Sequence, residues 1–140
     1  MTNEAVLIVE LECPIGFTCA DGTGIEKGAI LMLSDPMTAA LATGDEDFIA
    51  GIAAEEKIAN DGKTKISVYR SGIFRVLAGA AVTIGDAIST YASSGATNEV
   101  REAPATAVSS KTLGISLESA DDTNTFLMDL RPGVNPTAFA

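Results

Sequence analysis

The sequence contains no histidine and no tryptophan, and its 9 basic residues are outnumbered by 19 acidic ones. Without histidine, the Ser–His and Cys–His pairs of nucleophilic catalysis and all His-ligated metal sites are excluded. With only two tyrosines and no tryptophan, the chain lacks the aromatic surface typical of carbohydrate-binding modules. A net charge of −10 repels phosphate, so we expect no direct binding of nucleic acid or of anionic membranes.

The two cysteines, Cys13 and Cys19, allow two interpretations: two free thiols, or a local disulfide across the turn expected at residues 14–16. A zinc site would need two further ligands, which no histidine can provide. The acidic turns at residues 45–47 and 121–122 lack the spacing of a calcium-binding loop and are interpreted as solvated. We therefore predict no catalytic residue, no cofactor site and no metal site, and we expect that the protein is not an enzyme.

A chain of 140 residues that is 46% apolar is long enough to form one domain with a core that needs no disulfides. We predict a single β domain over residues 1–131 and a C-terminal tail over residues 132–140, and within the domain residues 1–11 form an N-terminal arm or the first strand. No apolar run reaches the roughly 20 residues of a membrane span, and the first residues lack the basic region of a signal peptide. We expect synthesis in a cytoplasm.

The central stretch, residues 63–91, carries the clearest strand signals. Polar residues alternate with Ile66 and Val68, which is the two-residue period of a strand with one face in a core. Gly72 and Gly85 then interrupt the apolar runs where the chain turns. Residues 37–42 are predicted as a loop with at most one turn of helix, because an isolated helix of that length is marginal. The predicted fold is therefore all-β, a small β-barrel or β-tulip-like sandwich with at most one short helix.

Three patterns occur twice in the same order. Residues 25–30 resemble 82–88, residues 50–53 resemble 113–116, and residues 65–72 resemble 126–133 with Arg70 aligned to Arg131. This echo predicts an internal pseudo-duplication. Two such halves can close on each other and so hide their sheet edges, as small barrels do.

The segment from Ala5 to Leu11 is apolar and β-branched, which fits either an internal strand or an arm that pairs with the sheet edge of another chain. Four arginines stand out in this acidic sequence, at positions 70, 75, 101 and 131; they form local ion pairs or dock onto an acidic partner. The predicted partner interface consists of Val6, Leu7, Ile8, Val9, Leu11, Arg70 and Arg75.

A series of short motifs, taken in order, resembles the bacteriophage capsid cement, or head decoration, proteins. The similarity covers roughly residues 5–131, and its motifs are Gly24–Ile30, Ala50–Ala53, Val68–Phe74, Ala80–Asp86, Leu113–Leu117 and Met128–Leu130.

This resemblance implies a small barrel on the outside of an expanded icosahedral shell, usually a homotrimer at threefold positions. It implies the major capsid protein as partner, a role in resisting the pressure of packed DNA, a location on the virion exterior, and no catalytic residues. Two alternatives remain open from the residues alone: a tail or baseplate barrel of a virion, and a cellular ligand-binding β-module.

Overall fold

The computed structural model describes residues 3–91 and 98–134. Within these ranges the chain forms strands and one 3-10 helix, η1, with no α-helix. The elements are β1 (Val6–Val9), β2 (Ile15–Thr18), β3 (Ile30–Asp35), β4 (Thr38–Leu41), β5 (Ile49–Ala53), β6 (Lys65–Tyr69), β7 (Gly72–Ala78), β8 (Ala87–Tyr91), β9 (Glu99–Glu102), η1 (Ser109–Lys111), β10 (Gly114–Ser116) and β11 (Thr125–Leu130). The all-β prediction is confirmed.

The strands close into two five-stranded barrels that follow each other along the chain. The N-barrel consists of β2–β6 in the order β2-β4-β3-β5-β6. The C-barrel consists of β7–β11 in the order β7-β11-β10-β8-β9, and it closes through the pairing of β7 with β9. Because a closed barrel leaves few unpaired strand edges, this architecture hides most of the backbone.

The two barrels share one topology, which confirms the pseudo-duplication. In each, the first strand runs parallel to the third, while every other neighbouring pair is antiparallel. Even the isolated bridges correspond, because Ile25 pairs with Lys57 in the N-barrel and Val82 pairs with Ala120 in the C-barrel.

The predicted alignment of residues 65–72 with residues 126–133 is shifted by one residue from the pairing in the structure. Ile52 pairs with Tyr69 in the N-barrel, and Ile115, the equivalent of Ile52, pairs with Asp129. Tyr69 therefore corresponds to Asp129, and Arg70 does not correspond to Arg131. Such a slip exchanges the two faces of a strand, so the alignment by matching arginines was wrong.

The repeated pattern contains a glycine at equivalent positions, Gly51 and Gly114, because a side chain does not fit at either position. A Cβ atom on Gly51 would collide with the carbonyl oxygen of Tyr69, and one on Gly114 would collide with the carbonyl oxygen of Asp129. The adjacent strand crosses so closely at this point that either site accepts no side chain.

Strand β1 lies outside both barrels and extends the C-barrel sheet. It pairs antiparallel with β7, with Leu7 opposite Phe74, on the same edge that pairs with β9 further along. Within the described part of the segment 1–11, Val6–Val9 forms the first strand. Residues 1–2 of this segment, and residues 135–140 of the predicted tail, lie outside the described residues.

Two predictions about local structure were wrong in the N-barrel. The turn predicted at residues 14–16 instead leads into β2, which begins at Ile15. The loop predicted at residues 37–42 instead contains β4. Met37 adopts a left-handed φ of 50° between β3 and β4, which makes the tight reversal that starts β4. Both strands are short and depend on their barrel neighbours, which local propensity does not register.

The contact between the barrels is partly apolar. The core of the C-barrel, centred on Phe74, Phe126 and Met128, continues without a break into Ile30 and Ile52 of the N-barrel. The remaining N-barrel residues form a second cluster around Phe17, Leu31 and Val68. One cluster therefore belongs to both barrels.

Polar contacts reinforce this junction. The acidic turn at residues 44–47 was predicted to be solvated, but it packs on the end of β8: the Glu46 amide donates to the carbonyl oxygen of Thr90, and the Asp47 amide donates to Oγ1 of Thr90. Arg101 of β9 lies 3.5 Å from Oε2 of Glu46. This turn, called here the clip, therefore joins the two barrels, because the guanidinium of Arg101 lies beside its Glu46 carboxylate.

Asn98, at the start of β9, ties three further segments together. Its Oδ1 accepts a hydrogen bond of 2.8 Å from the Ile30 amide, while Nδ2 donates to the carbonyl oxygens of Asn3 at 2.7 Å and Gly28 at 3.0 Å. Its left-handed φ of 59° suits asparagine better than most residues. This side chain joins the N-terminal segment, the N-barrel and the C-barrel.

Candidate docking surface

The residues before and within β2 form an unusually exposed apolar stretch, called here the exposed segment (residues 6–16). Val6, Ile8, Val9, Leu11 and Ile15 are each between 43% and 55% exposed. Leu7 alone of the predicted apolar interface packs inward, against the shared core. Adjacent exposed apolar side chains of this kind are typical of surfaces that bind another protein.

The two arginines of the predicted interface are held by the chain itself. Nη1 of Arg70 donates to the carbonyl oxygen of Ala50 at 2.8 Å, and Nη1 of Arg75 lies 3.6 Å from Oε1 of Glu118. Arg75 and Glu118 are both about two-fifths exposed, so this ion pair contributes little to stability and can exchange partners. The structure therefore places Arg75 on the C-barrel surface and binds Arg70 to β5.

Lys57 is a buried structural side chain that the sequence does not distinguish from surface lysines. It is 2% exposed, and its Nζ donates to Oδ1 of Asp61 at 2.8 Å, to Oδ1 of Asp21 at 3.1 Å, and to the carbonyl oxygens of Asp21 and Ile58. The hydrogen bond from Lys57 is the main cause that lowers the pKa of Asp61. Two carboxylates raise the pKa of Lys57 against the opposing effect of burial, so the ammonium stays charged and pins the loops at one end of the N-barrel.

Both cysteines are free, Cys13 exposed and Cys19 buried. Burial raises the pKa of the Cys19 thiol, which keeps it protonated and unreactive. Of the two interpretations, the structure therefore supports two free thiols and not a local disulfide.

The described part of the chain forms several surface clefts. The cleft beside Asn98 has a volume of about 470 Å³, and its lining is more apolar than polar, with Ile25, Leu41 and Ile58 among the lining residues. Across residues 3–91 and 98–134, no group of three His, Cys, Asp or Glu side chains is placed to hold a metal ion. In the same ranges, no helix has the length and hydrophobicity to cross a membrane.

Comparison with known proteins identifies the family. The model of the phage cement protein family matches residues 12–131. Among solved structures, the head fiber gp8.5 N base of bacteriophage phi29 has a similar fold, with a TM-score of 0.54 and 15% sequence identity over 85% of this chain and 95% of that chain. A search of curated proteins finds no match. The chain thus belongs to the phage cement protein family, and it is a structural protein of the phage virion that associates with the capsid.

Proposed function

We propose that this protein decorates the outside of the expanded icosahedral head as a homotrimer and stabilises the shell against the pressure of packed DNA. Its partner is the major capsid protein. The observation that supports docking is the exposed segment: closed barrels leave few free edges, yet residues 6–16 keep five large apolar side chains in water. An acidic protein gains solubility from its charge and has no internal reason to leave these residues uncovered.

The two-barrel architecture suits a protein that holds neighbouring capsid subunits together. Two barrels joined through a shared core and by the clip at residues 44–47 would hold two points of attachment on the shell at a fixed distance. Three weak contacts on one rigid trimer can exceed a single contact in affinity by about 10²–10⁴-fold. This avidity would let modest individual contacts hold neighbouring capsid subunits together.

The same proposal holds that the protein catalyses no reaction and contacts neither DNA nor membranes. It is made in the host cytoplasm and acts only after the shell expands. The proposal that the protein catalyses no reaction would be contradicted by any turnover that depends on a carboxylate of this chain.

The test uses expanded shells that lack the protein. Purified protein added to such shells should bind them at threefold positions by electron microscopy, should bind unexpanded shells much less, and should raise the temperature at which the shells release DNA. A protein that co-purifies with tails and leaves expanded shells bare would contradict the proposal and favour a tail or baseplate role.

A further inference from the structure

The internal repeat shows that one strand position of the N-barrel is uncovered. In the C-barrel, one edge of β7 pairs with β9 at Leu77 and Ala78 and with β1 along residues 73–75. The equivalent edge of β2 pairs with β4 only at Thr18. Among the described residues, no strand takes beside β2 the place that β1 takes beside β7.

The exposure of two equivalent residues, Ile15 and Phe74, differs between the two barrels. Ile15 of β2 corresponds to Phe74 of β7, since they pair with the equivalent residues Val68 and Met128. Phe74 is 1% exposed, whereas Ile15 is 45% exposed. Beside it, a Cβ atom built on Gly16 would meet no heavy atom within 4 Å. The inward-facing apolar position of β2 therefore lacks the cover that its counterpart has.

Backbone hydrogen-bonding groups point into the same space. The Thr18 amide donates to the carbonyl oxygen of Met37 across this edge. Because the groups of an antiparallel strand alternate between its two edges, the N–H and C=O of Gly16 and the C=O of Pro14 face the same side as Thr18. At the equivalent residue of β7, Arg75, these groups lie opposite Val6 of β1. The open edge of β2 (residues 13–16) thus presents one donor and two acceptors.

We infer that an extended segment of the shell protein adds to β2 as an antiparallel strand along this open edge, in the position that β1 occupies on β7. The inference rests on the proposed docking to the shell and names the point of contact. Antiparallel addition follows from the template, since β1 runs antiparallel to β7.

The occupant is a different polypeptide because, among the described residues, β1 is the only strand outside the barrels, and two edges can take such a strand. Its own β1 is held on one side by β7, and on the other the Ala5 amide donates to the carbonyl oxygen of Gly28. A second copy also brings a net charge of −10, while the exposed residues Glu10 and Glu12 precede the open edge in sequence. The matching segment carries an apolar residue over Ile15, as Leu7 lies opposite Phe74, with Lys or Arg beside it.

The experiment compares Gly16→Pro with Gly16→Ala in binding to expanded shells, measured by co-sedimentation. Proline removes the outward N–H and places its ring in the strand position, whereas alanine keeps the N–H and its Cβ enters open space. Gly16→Pro should weaken binding about tenfold or more, and Gly16→Ala should bind as the unmodified protein does.

A second pair of variants guards against effects on folding. Ile15→Lys places a charge where the apolar contact is needed, while Ile84→Lys places the same charge on the C-barrel at a residue that is 65% exposed. Only Ile15→Lys should lose shell binding, and rising salt should weaken binding of the unmodified protein. Hydrogen exchange at the Gly16 amide should slow on shells, whereas the Thr18 amide is already protected without them.

The outcomes separate the two proposals. If the unmodified protein leaves expanded shells bare, the proposed function fails. If it decorates them and both Gly16→Pro and Ile15→Lys decorate them equally well, the strand addition is wrong and the proposed function stands. If Gly16→Pro instead lowers the mass of the free protein from trimer to monomer, the occupant is a second copy, and the assignment to the shell is overturned.

Discussion

Asn98 offers the sharpest test of how the two barrels are held together. In Asn98→Ala, three hydrogen bonds disappear, and the Ile30 amide, in a residue only 3% exposed, is left without its acceptor. Alanine is also less favourable than asparagine at a φ of 59°. At about 1 kcal/mol for each hydrogen bond and about 1 kcal/mol for the backbone, the free energy of unfolding should fall by about 3–4 kcal/mol.

Chemical denaturation and calorimetry measure this change directly. For a chain of this size, such a loss corresponds to a fall of about 10 °C in Tm. Asn60→Ala is the matched control, because Asn60 has a similar φ of 61° but is exposed; it should lose about 1 kcal/mol. If both variants lose equally little, the Asn98 side chain does not join the barrels and the reasoning is refuted.

The charge variant Asn98→Asp adds a dependence on pH. One carboxylate oxygen still accepts from the Ile30 amide, but the other faces the carbonyl oxygens of Asn3 and Gly28. This repulsion raises the pKa of the new carboxyl above its unfolded value, so its protonated form favours folding. The variant should therefore approach the unmodified protein in stability at low pH and fall behind as pH rises. A loss that stays constant with pH would contradict this account.

Three further predictions concern single residues. Lys57→Met should lower Tm, since two carboxylates lose their cation, and should reduce the acid sensitivity that Asp61 confers. The Lys57 hydrogen bond lowers the pKa of Asp61 in the folded protein. The ionised Asp61 carboxylate therefore stabilises the fold above its ordinary pKa of 3.8, and this stabilisation is lost as pH falls through the lower folded pKa. Unfolding measured against pH in the unmodified and variant proteins tests this. Gly51→Ala should cost about 3 kcal/mol or more in urea denaturation, because its Cβ meets backbone. A thiol reagent should label one cysteine per native chain, Cys13, and should reach Cys19 only on unfolding.

Each of these has a simple contrary outcome. A Lys57→Met protein with unchanged Tm would mean that its four acceptors are satisfied by water. A Gly51→Ala protein as stable as Gly16→Ala, whose Cβ lies in open space, would mean that the β5–β6 crossing adjusts freely. Rapid labelling of two thiols would mean that the N-barrel opens at the end of β2.

Sequence patterns predicted the strands that have a continuous apolar period. The alternation at Ile66 and Val68 marks the buried face of β6. In contrast, β2 contains a glycine directly after Pro14 and Ile15, and β4 consists mainly of small residues. Both exist because a barrel must close, which is information held by distant strands rather than by their own residues.

The residues of the junction were beyond local inference for a related reason. Nothing near Lys57 in sequence distinguishes it from a surface lysine until Asp21 is brought to it from another loop. The acidic turn at residues 44–47 looks solvated unless Arg101 and Thr90 are known to lie against it. By contrast, the family motifs indicated the capsid association because they are spread over the whole chain and survive errors in any one strand.

The position of β1 on β7 also decides how the N-terminus can be studied. Ala5 is buried and Leu7 lies opposite Phe74, so both belong to the packing of the C-barrel. Deleting residues 1–11 would uncover a phenylalanine and unpair three residues of a central strand, and a truncated protein that no longer bound shells would report damage to the barrel. Substitution of outward side chains one at a time leaves that packing in place, and it is the cleaner way to separate attachment from folding.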